Sequence, residues 1–239
     1  LLPGFVNINW GDHEAIKSFI TDRTAAILIE PIQGEGGIRV LPETCLKGIR
    51  EICDEKNVLL ILDEVQCGVG RTGKLFAHEW AEIEPDIMMV AKGIGGGFPL
   101  GAVLAKENAA SGMTAGTHGS TYGGNPLGCS IGLKVMDIIS DPNFLYDVNR
   151  KAKLFHDGLL ELLRKNTSIF EEVRGKGLML GLKCKVKNID VVNAAYSNKL
   201  LTVPAGDNVV RLLPPLTISD KDINEALNKL DGVMTALSQ

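Results

Sequence analysis

Two ionisable residues in this chain each close an apolar run. Lys92 ends Pro85-Asp-Ile-Met-Met-Val-Ala-Lys92 and opens Gly93-Ile-Gly-Gly-Gly97. Asp63 ends Val58-Leu-Leu-Ile-Leu-Asp63 and is followed by Glu64. An amine held away from water is more often neutral and can attack an aldehyde to give a Schiff base. A carboxylate beside a basic ring nitrogen stays ionised and keeps that nitrogen protonated. Together the two could hold a flat, carbonyl-bearing heterocycle by its opposite ends. Taken singly, Asp63 also suits a helix cap or a solvated strand end, and Lys92 a surface lysine. Their shared context, a buried run ending in a Gly-rich loop, is what pairs them.

The elements that would position them follow from periodicity. Residues 24–29, 58–62, 86–90 and 100–105 are short continuous apolar runs, the pattern of strands buried on both faces. Residues 42–56 and 127–139 follow helical spacing, and residues 74–81 read as a short helix. Strands alternating with amphipathic helices imply an α/β unit with a mainly parallel sheet sandwiched by helices. After residue 140 the pattern changes. A long helix over 143–165 is followed by short strands near Val173 and over 178–182, 201–203 and 209–212, with helices over 189–199 and 219–237. The expected division is a large domain over 1–141 and a small C-terminal α+β domain over 142–239. Ligands of open α/β sheets sit beyond the carboxyl ends of the strands, where Glu30, Asp63 and Lys92 all fall.

Other motifs carry two readings each. Gly68-Val-Gly-Arg-Thr-Gly73-Lys74 matches part of a phosphate loop, but Leu75 stands where a hydroxyl must hold magnesium. A Gly-rich surface loop before a helix is the better reading. Gly93-Ile-Gly-Gly-Gly97 has Phe98 at the third dinucleotide glycine and no acid about 20 residues on, so the glycines serve to turn the chain or to let a flat ligand approach. Ser120 and Thr121 precede Pro126, which suits a first helical turn. Their hydroxyls could receive a phosphate or simply cap the helix. Arg211, flanked by Val209, Val210, Leu212 and Leu213, needs a carboxylate, either an internal acid or a substrate's.

Bulk properties exclude several classes. Of 239 residues, 45% are hydrophobic and 23% charged, with net charge −4; this suits a globular protein and leaves no basic footprint for nucleic acid. No apolar run approaches the ~20 residues of a membrane span. Five cysteines without a C-x-x-C spacing and four scattered histidines argue for no disulfide framework and no metal site, and fit a reducing cytoplasm. The start at Leu1-Leu-Pro-Gly lacks a signal-peptide pattern.

Several segments together resemble the class III aminotransferases, which depend on pyridoxal 5′-phosphate. They are Ile29-Glu-Pro-Ile-Gln-Gly-Glu-Gly-Gly37, Leu62-Asp-Glu-Val-Gln-Cys-Gly-Val-Gly-Arg-Thr-Gly73, Ala91-Lys-Gly93, His118-Gly-Ser-Thr-Tyr-Gly-Gly-Asn-Pro126, Val173-Arg-Gly-Lys-Gly177 and Val210-Arg-Leu-Leu-Pro-Pro-Leu216. The resemblance implies the aspartate-aminotransferase-like fold, fold type I. It implies that Lys92 carries the cofactor and shuttles a proton, that Asp63 pairs with the pyridine nitrogen, that Val65 packs on a ring face and that Gln66 bonds the phenolic oxygen. Thr121, with Ser120, would reach the phosphate of a neighbouring subunit's cofactor in a homodimer. Arg211 would grip an α-carboxylate, with Glu35 masking it in the other half-reaction. The run from Leu201 to Arg211 is most similar to the branch acting on N-acetylornithine with 2-oxoglutarate, in arginine biosynthesis. Ornithine, succinylornithine, succinyl-diaminopimelate and 4-aminobutyrate are the related substrates, and an inactive remnant is a further alternative. The family's N-terminal phosphate loop, its ring-stacking aromatic residue and an arginine for the distal end of the substrate have no counterpart here, so the expectation is either a fragment of a longer enzyme or a partner chain that supplies the rest.

Overall fold

The computed structural model describes residues 2–10 and 13–237; Leu1, at the head of the opening segment, lies outside them. Packing divides the chain into two compact units. The first comprises Leu1–Pro31, Leu41–Gln66 and Ala77–Val135, and the second Ile32–Val40, Cys67–Phe76 and Met136–Gln239. This differs from a contiguous split after residue 141, because two short stretches leave the first half of the sequence to pack with the second unit.

The first unit is built on a four-stranded sheet of β1 (Ala26–Ile29), β4 (Leu59–Asp63), β5 (Ile87–Val90) and β6 (Ala102–Ala105), in the spatial order β1-β4-β5-β6. β1, β4 and β5 run parallel, while β6 is antiparallel to β5. Sequence periodicity had located all four strands but not the reversal at β6, which depends on the turn through residues 93–101 rather than on composition. Helix α1 (His13–Phe19) packs on α2 (Glu43–Lys56), and α2 buries Cys45, Leu46, Ile49, Ile52 and Cys53. These side chains form one core with Leu60 and Leu62 of β4. Helix α2 ends at Asn57, whose left-handed φ of 53° lets its N–H reach the last carbonyls. The helix read over 74–81 is only a 3₁₀ turn, Ala77–Ala81. Further along lie α3 (Glu107–Ala110) and α4 (Pro126–Ile139).

The second unit carries an antiparallel sheet ordered β7-β8-β10-β9, from β7 (Phe170–Lys176), β8 (Met179–Cys184), β9 (Val203–Ala205) and β10 (Val209–Leu212). Helices α5 (Pro142–Lys165), α6 (Asn188–Ser197) and α7 (Asp220–Leu237) cover it, through Phe155, Leu159, Val191, Ile223 and Leu230 among others. Asp141 caps α5 by accepting from the Asn143 N–H at 2.8 Å, and Pro142 occupies the first turn. A two-stranded hairpin missed by periodicity, β2 (Ile32–Gln33) with β3 (Arg39–Val40), also belongs to this unit. Its strands are two residues long, too short to show alternation.

Candidate functional site

In the first unit, parallel register decides what stands beside what. Ile29 pairs with Leu62, and Asp63 pairs with Met89. Glu30 and Asp63 therefore leave neighbouring strands side by side. Lys92 lies three residues beyond Met89, past the end of β5 at Val90 and at the head of the turn that follows it. Val65 donates its N–H to the Asp63 carboxylate at 3.0 Å, so the acid is held where β4 turns away from the sheet. The side-chain amide oxygen of Gln66 is buried without a hydrogen-bond partner. A bound donor would satisfy it, as would a bound acceptor with the amide turned over. The donor set thus fits pyridoxal phosphate: an acid, an amine and a buried amide from two adjoining strand ends.

Lys92 itself departs from expectation in one respect. It is exposed, not shielded, among the residues described here. Its backbone is unusual, with φ at 46° at the head of a 3₁₀ turn over Lys92–Gly95. A left-handed conformation costs a non-glycine residue about 1–3 kcal/mol, and such outliers cluster at functional sites. Gly96 closes the turn at φ 55° with its Cα near Val135, where a Cβ would sit 3.0 Å from the valine's Cγ2. The glycines beside Lys92 thus reverse the chain toward β6.

Ser120 and Thr121 are exposed in the loop before α4. The Ser120 hydroxyl accepts from the Gly123 N–H at 3.0 Å, closing a local turn. The helix cap is Asn125, which accepts from Gly128 at 2.8 Å. Capping therefore falls to Asn125 and leaves both hydroxyls upstream of the helix.

Periodicity missed Glu64. It is fully buried, and its carboxylate accepts from the backbone N–H groups of Ala77 (2.6 Å) and His78 (2.9 Å) and contacts His78 Nδ1 at 2.7 Å. Its own N–H donates to Met89 across the sheet. Two successive acids at a strand end must point to opposite faces; that alternation was the available signal. Asp63 is the half-exposed one and Glu64 the anchor.

In the second unit, Arg211 lies on β10 and is only 6% exposed as a side chain. It donates two parallel hydrogen bonds to Glu35, Nη1 to Oε1 at 2.6 Å and Nη2 to Oε2 at 3.1 Å. Of the alternatives for Arg211, the internal acid is present. Glu35, on the β2–β3 loop, is 77% exposed. The Arg211 Nε is buried without a partner. Removing Glu35 would return its carboxylate to water at little cost but leave a buried guanidinium unpaired. Of the two partners, Glu35 is the one that can leave at the lower cost.

The segment Gly68–Lys74 is not a surface loop. Cys67, Gly68, Val69, Gly70, Thr72 and Gly73 are buried. Arg71 donates to the carbonyls of Leu178 and Pro214, at 3.0 and 2.6 Å, and burial lowers its pKa to about 10. Asn149 donates to the Gly73 carbonyl at 2.7 Å. The glycines serve a tight connector docked on the second unit. No cluster of metal-ligating side chains and no membrane-length apolar helix occurs among the described residues.

Comparison with known proteins gives a consistent picture. The family model described as "Aminotransferase class-III" matches residues 10–234. An acetylornithine aminotransferase of Rhodobacter capsulatus is 65% identical over 237 residues, covering 99% of this chain and 60% of that protein. Among solved structures, ornithine aminotransferase from Toxoplasma gondii superposes with a TM-score of 0.93 at 35% identity, over 99% of this chain and 57% of its own. N-acetylornithine aminotransferase from Stenotrophomonas maltophilia does so with 0.87 at 35% identity, over 96% and 62%. The chain thus spans about three fifths of the length of these relatives.

Proposed function

The chain belongs to the class-III aminotransferases, and from that premise we propose that it serves the pyridoxal-phosphate-dependent transamination of N-acetylornithine with 2-oxoglutarate, giving N-acetylglutamate semialdehyde and glutamate. The observation that carries the reading is the register of β4 and β5, which sets Asp63 and Lys92 at adjoining parallel strand ends. The similarity to acetylornithine aminotransferases, at 65% identity in the relative from Rhodobacter capsulatus, supports the substrate.

The cofactor, when bound, supplies an electron sink for charge developing at the substrate Cα. Asp63 would hold the ring nitrogen's proton, Val65 would line one face of the ring and the Gln66 amide would bond its phenolic oxygen. Lys92 would anchor the group through its amine and, once freed, would serve as the proton carrier at the substrate Cα. Ser120 and Thr121 would help to hold the phosphate bound by a second copy, so the working unit would be a homodimer. Arg211 takes the α-carboxylate of glutamate or 2-oxoglutarate in a bidentate grip. Glu35 would neutralise Arg211 while the ω-amine of N-acetylornithine reacts, and would leave it for the α-amino acid. A cytoplasm is the compartment such an enzyme of arginine biosynthesis suits.

Free ornithine is the second reading, favoured by the structural similarity to ornithine aminotransferase. Two measurements on the full-length protein test these assignments. Borohydride reduction followed by peptide mass analysis is expected to put the pyridoxyl group on Lys92; recovery on another lysine refutes its role. kcat/KM is expected to be higher for N-acetylornithine than for ornithine, and the reverse order refutes the substrate.

A further inference from the structure

The Glu35 loop is locked to a second turn, and the lock has its own charge centre. The turn between β9 and β10 places Asp207 and Asn208 in succession in the left-handed region, at φ 53° and 55°, with Val209 N–H donating to the Gly206 carbonyl at 3.3 Å. Two consecutive left-handed residues define a type I′ hairpin turn, which Asp and Asn tolerate better than most residues. This turn meets the Glu35 loop backbone to backbone. Gly206 N–H donates to the Glu35 carbonyl at 2.8 Å. A Cβ on Gly37, at φ 109°, would lie 2.6 Å from the Gly206 oxygen, so that position does not admit a side chain, and one on Gly206 would crowd the Glu35 oxygen at 3.0 Å.

The Asp207 carboxylate gathers cations from three elements. Arg174 of β7 donates at 2.6 Å, Lys183 of β8 at 2.5 Å, and Arg39 of β3 stands at 3.5 Å. Lys183 also donates to the Asp207 carbonyl at 2.6 Å, and Arg174 reaches the Gly37 carbonyl at 3.3 Å. The hydrogen bonds from Lys183 and Arg174 hold this carboxyl far below the usual range. Arg174 thus touches both turns at once, and Arg211, on β10, follows Asp207 by four residues.

We propose that Asp207 is a positioning residue for substrate choice: by fastening the β9–β10 turn to the loop bearing Glu35, it keeps the Glu35 carboxylate in register with Arg211. The proposal rests on the reading of Glu35 as the group that masks Arg211 between half-reactions. A loosened loop lets Glu35 leave Arg211 more often. An unmasked guanidinium favours the α-carboxylate of glutamate and disfavours the half-reaction in which Arg211 must be neutralised.

The test compares the full-length protein with Asp207→Gly and Asp207→Asn. Glycine keeps the left-handed turn accessible and removes the carboxylate; asparagine keeps turn and shape and removes the charge. Hydrogen exchange over residues 204–209 is expected to quicken about tenfold in Asp207→Gly and less in Asp207→Asn, a loss typical of a coupled contact network. The ratio of kcat/KM for N-acetylornithine to that for glutamate is expected to fall about tenfold in Asp207→Gly, with a lower KM for glutamate. A purely structural role would lower kcat for both substrates and leave both KM values alone. Faster exchange with an unchanged ratio overturns the proposal, as does unchanged exchange. If Asp207→Gly does not fold, the same two readings on Asp207→Asn decide. Glu35→Gln separates the two levels: an unmoved ratio there defeats the masking role of Glu35 and the role of Asp207 with it, whereas a moved ratio beside an inert Asp207→Gly defeats only the latter.

Discussion

Asp63 with Lys92 and Glu35 with Arg211 are both an acid set near a base, but the fold builds them in opposite ways. The first two groups are delivered by sheet topology. Asp63 closes β4 and Lys92 follows the end of β5 by two residues, and parallel register sets these strand ends side by side. Lys92 is exposed. The second two are delivered by side chain to side chain contact across 176 positions of sequence and are already joined at 2.6 and 3.1 Å. Burial there is lopsided, 6% against 77% exposed. The difference separates two jobs. Under the proposed roles, groups that act on a third body come from neighbouring strand ends, and groups that alternate between partners are joined, with the more exposed member the one that moves.

Breaking the first arrangement has the largest expected effect. Lys92→Ala removes both the anchoring amine and the proton carrier, so kcat in the full-length protein should fall by about 10⁴-fold, the upper range for a general acid–base group. A loss under about tenfold would show that strand-end placement does not carry the chemistry. Breaking the second arrangement is more selective. Arg211→Lys replaces a planar fork by a point charge. The KM for glutamate should rise about 10–100-fold, the equivalent of one or two charge-assisted hydrogen bonds. The KM for N-acetylornithine should move less. Equal shifts in both would mean that Arg211 supports the fold around it rather than sorting substrates.

The same contrast marks what the sequence made legible. Strand-end groups announce themselves, because a charged residue closing four or five apolar ones is visible without a structure; Asp63 and Lys92 were found that way, and Arg211 as a charge flanked on both sides by apolar residues. The four strands of the first sheet and the long helices α5 and α7 were legible because apolar runs and helical spacing are local signals, although the expected burial on both faces fails, with β6 exposed along its length and β4 and β5 buried at alternate residues. Contacts made through turns were not. The β2–β3 hairpin, the buried connector over 67–76 and the Asp207 cluster depend on left-handed residues and on carbonyls supplied from far away in sequence. Glu35 and Gln66 entered through family resemblance, not through any pattern of their own. Glu64 was read past because its neighbour Asp63 explained the motif, although alternation requires the two acids to face apart.

The smallest effect probes whether register is what places Asp63 against Lys92. At the other end of the same strand pair, Asp86 precedes β5. Its carboxylate accepts from the Leu60 N–H at 2.8 Å and from Arg50 at 2.9 Å, while its N–H donates to the Leu60 carbonyl at 2.9 Å. Burial raises the pKa of this carboxyl, but the Leu60 amide and Arg50 outweigh it, and the net shift is downward. A depressed folded-state value means stabilisation that is complete above the unfolded value, about 3.9 for Asp, and is lost as pH falls through the lower folded value. Asp86→Asn lacks the charge at every pH. The variant should therefore be less stable by about 1–3 kcal/mol at pH 6, and the gap should narrow as acid protonates the wild-type carboxyl. Urea unfolding of the full-length protein at pH 6 and at pH 3.5 measures both. A gap that stays constant with pH would assign the contribution of Asp86 to shape alone. A variant matching wild type at pH 6 would mean that the β4–β5 ladder holds its register without this clamp, and that the strand-end pair is fixed by the apolar core of Leu60 and Leu62.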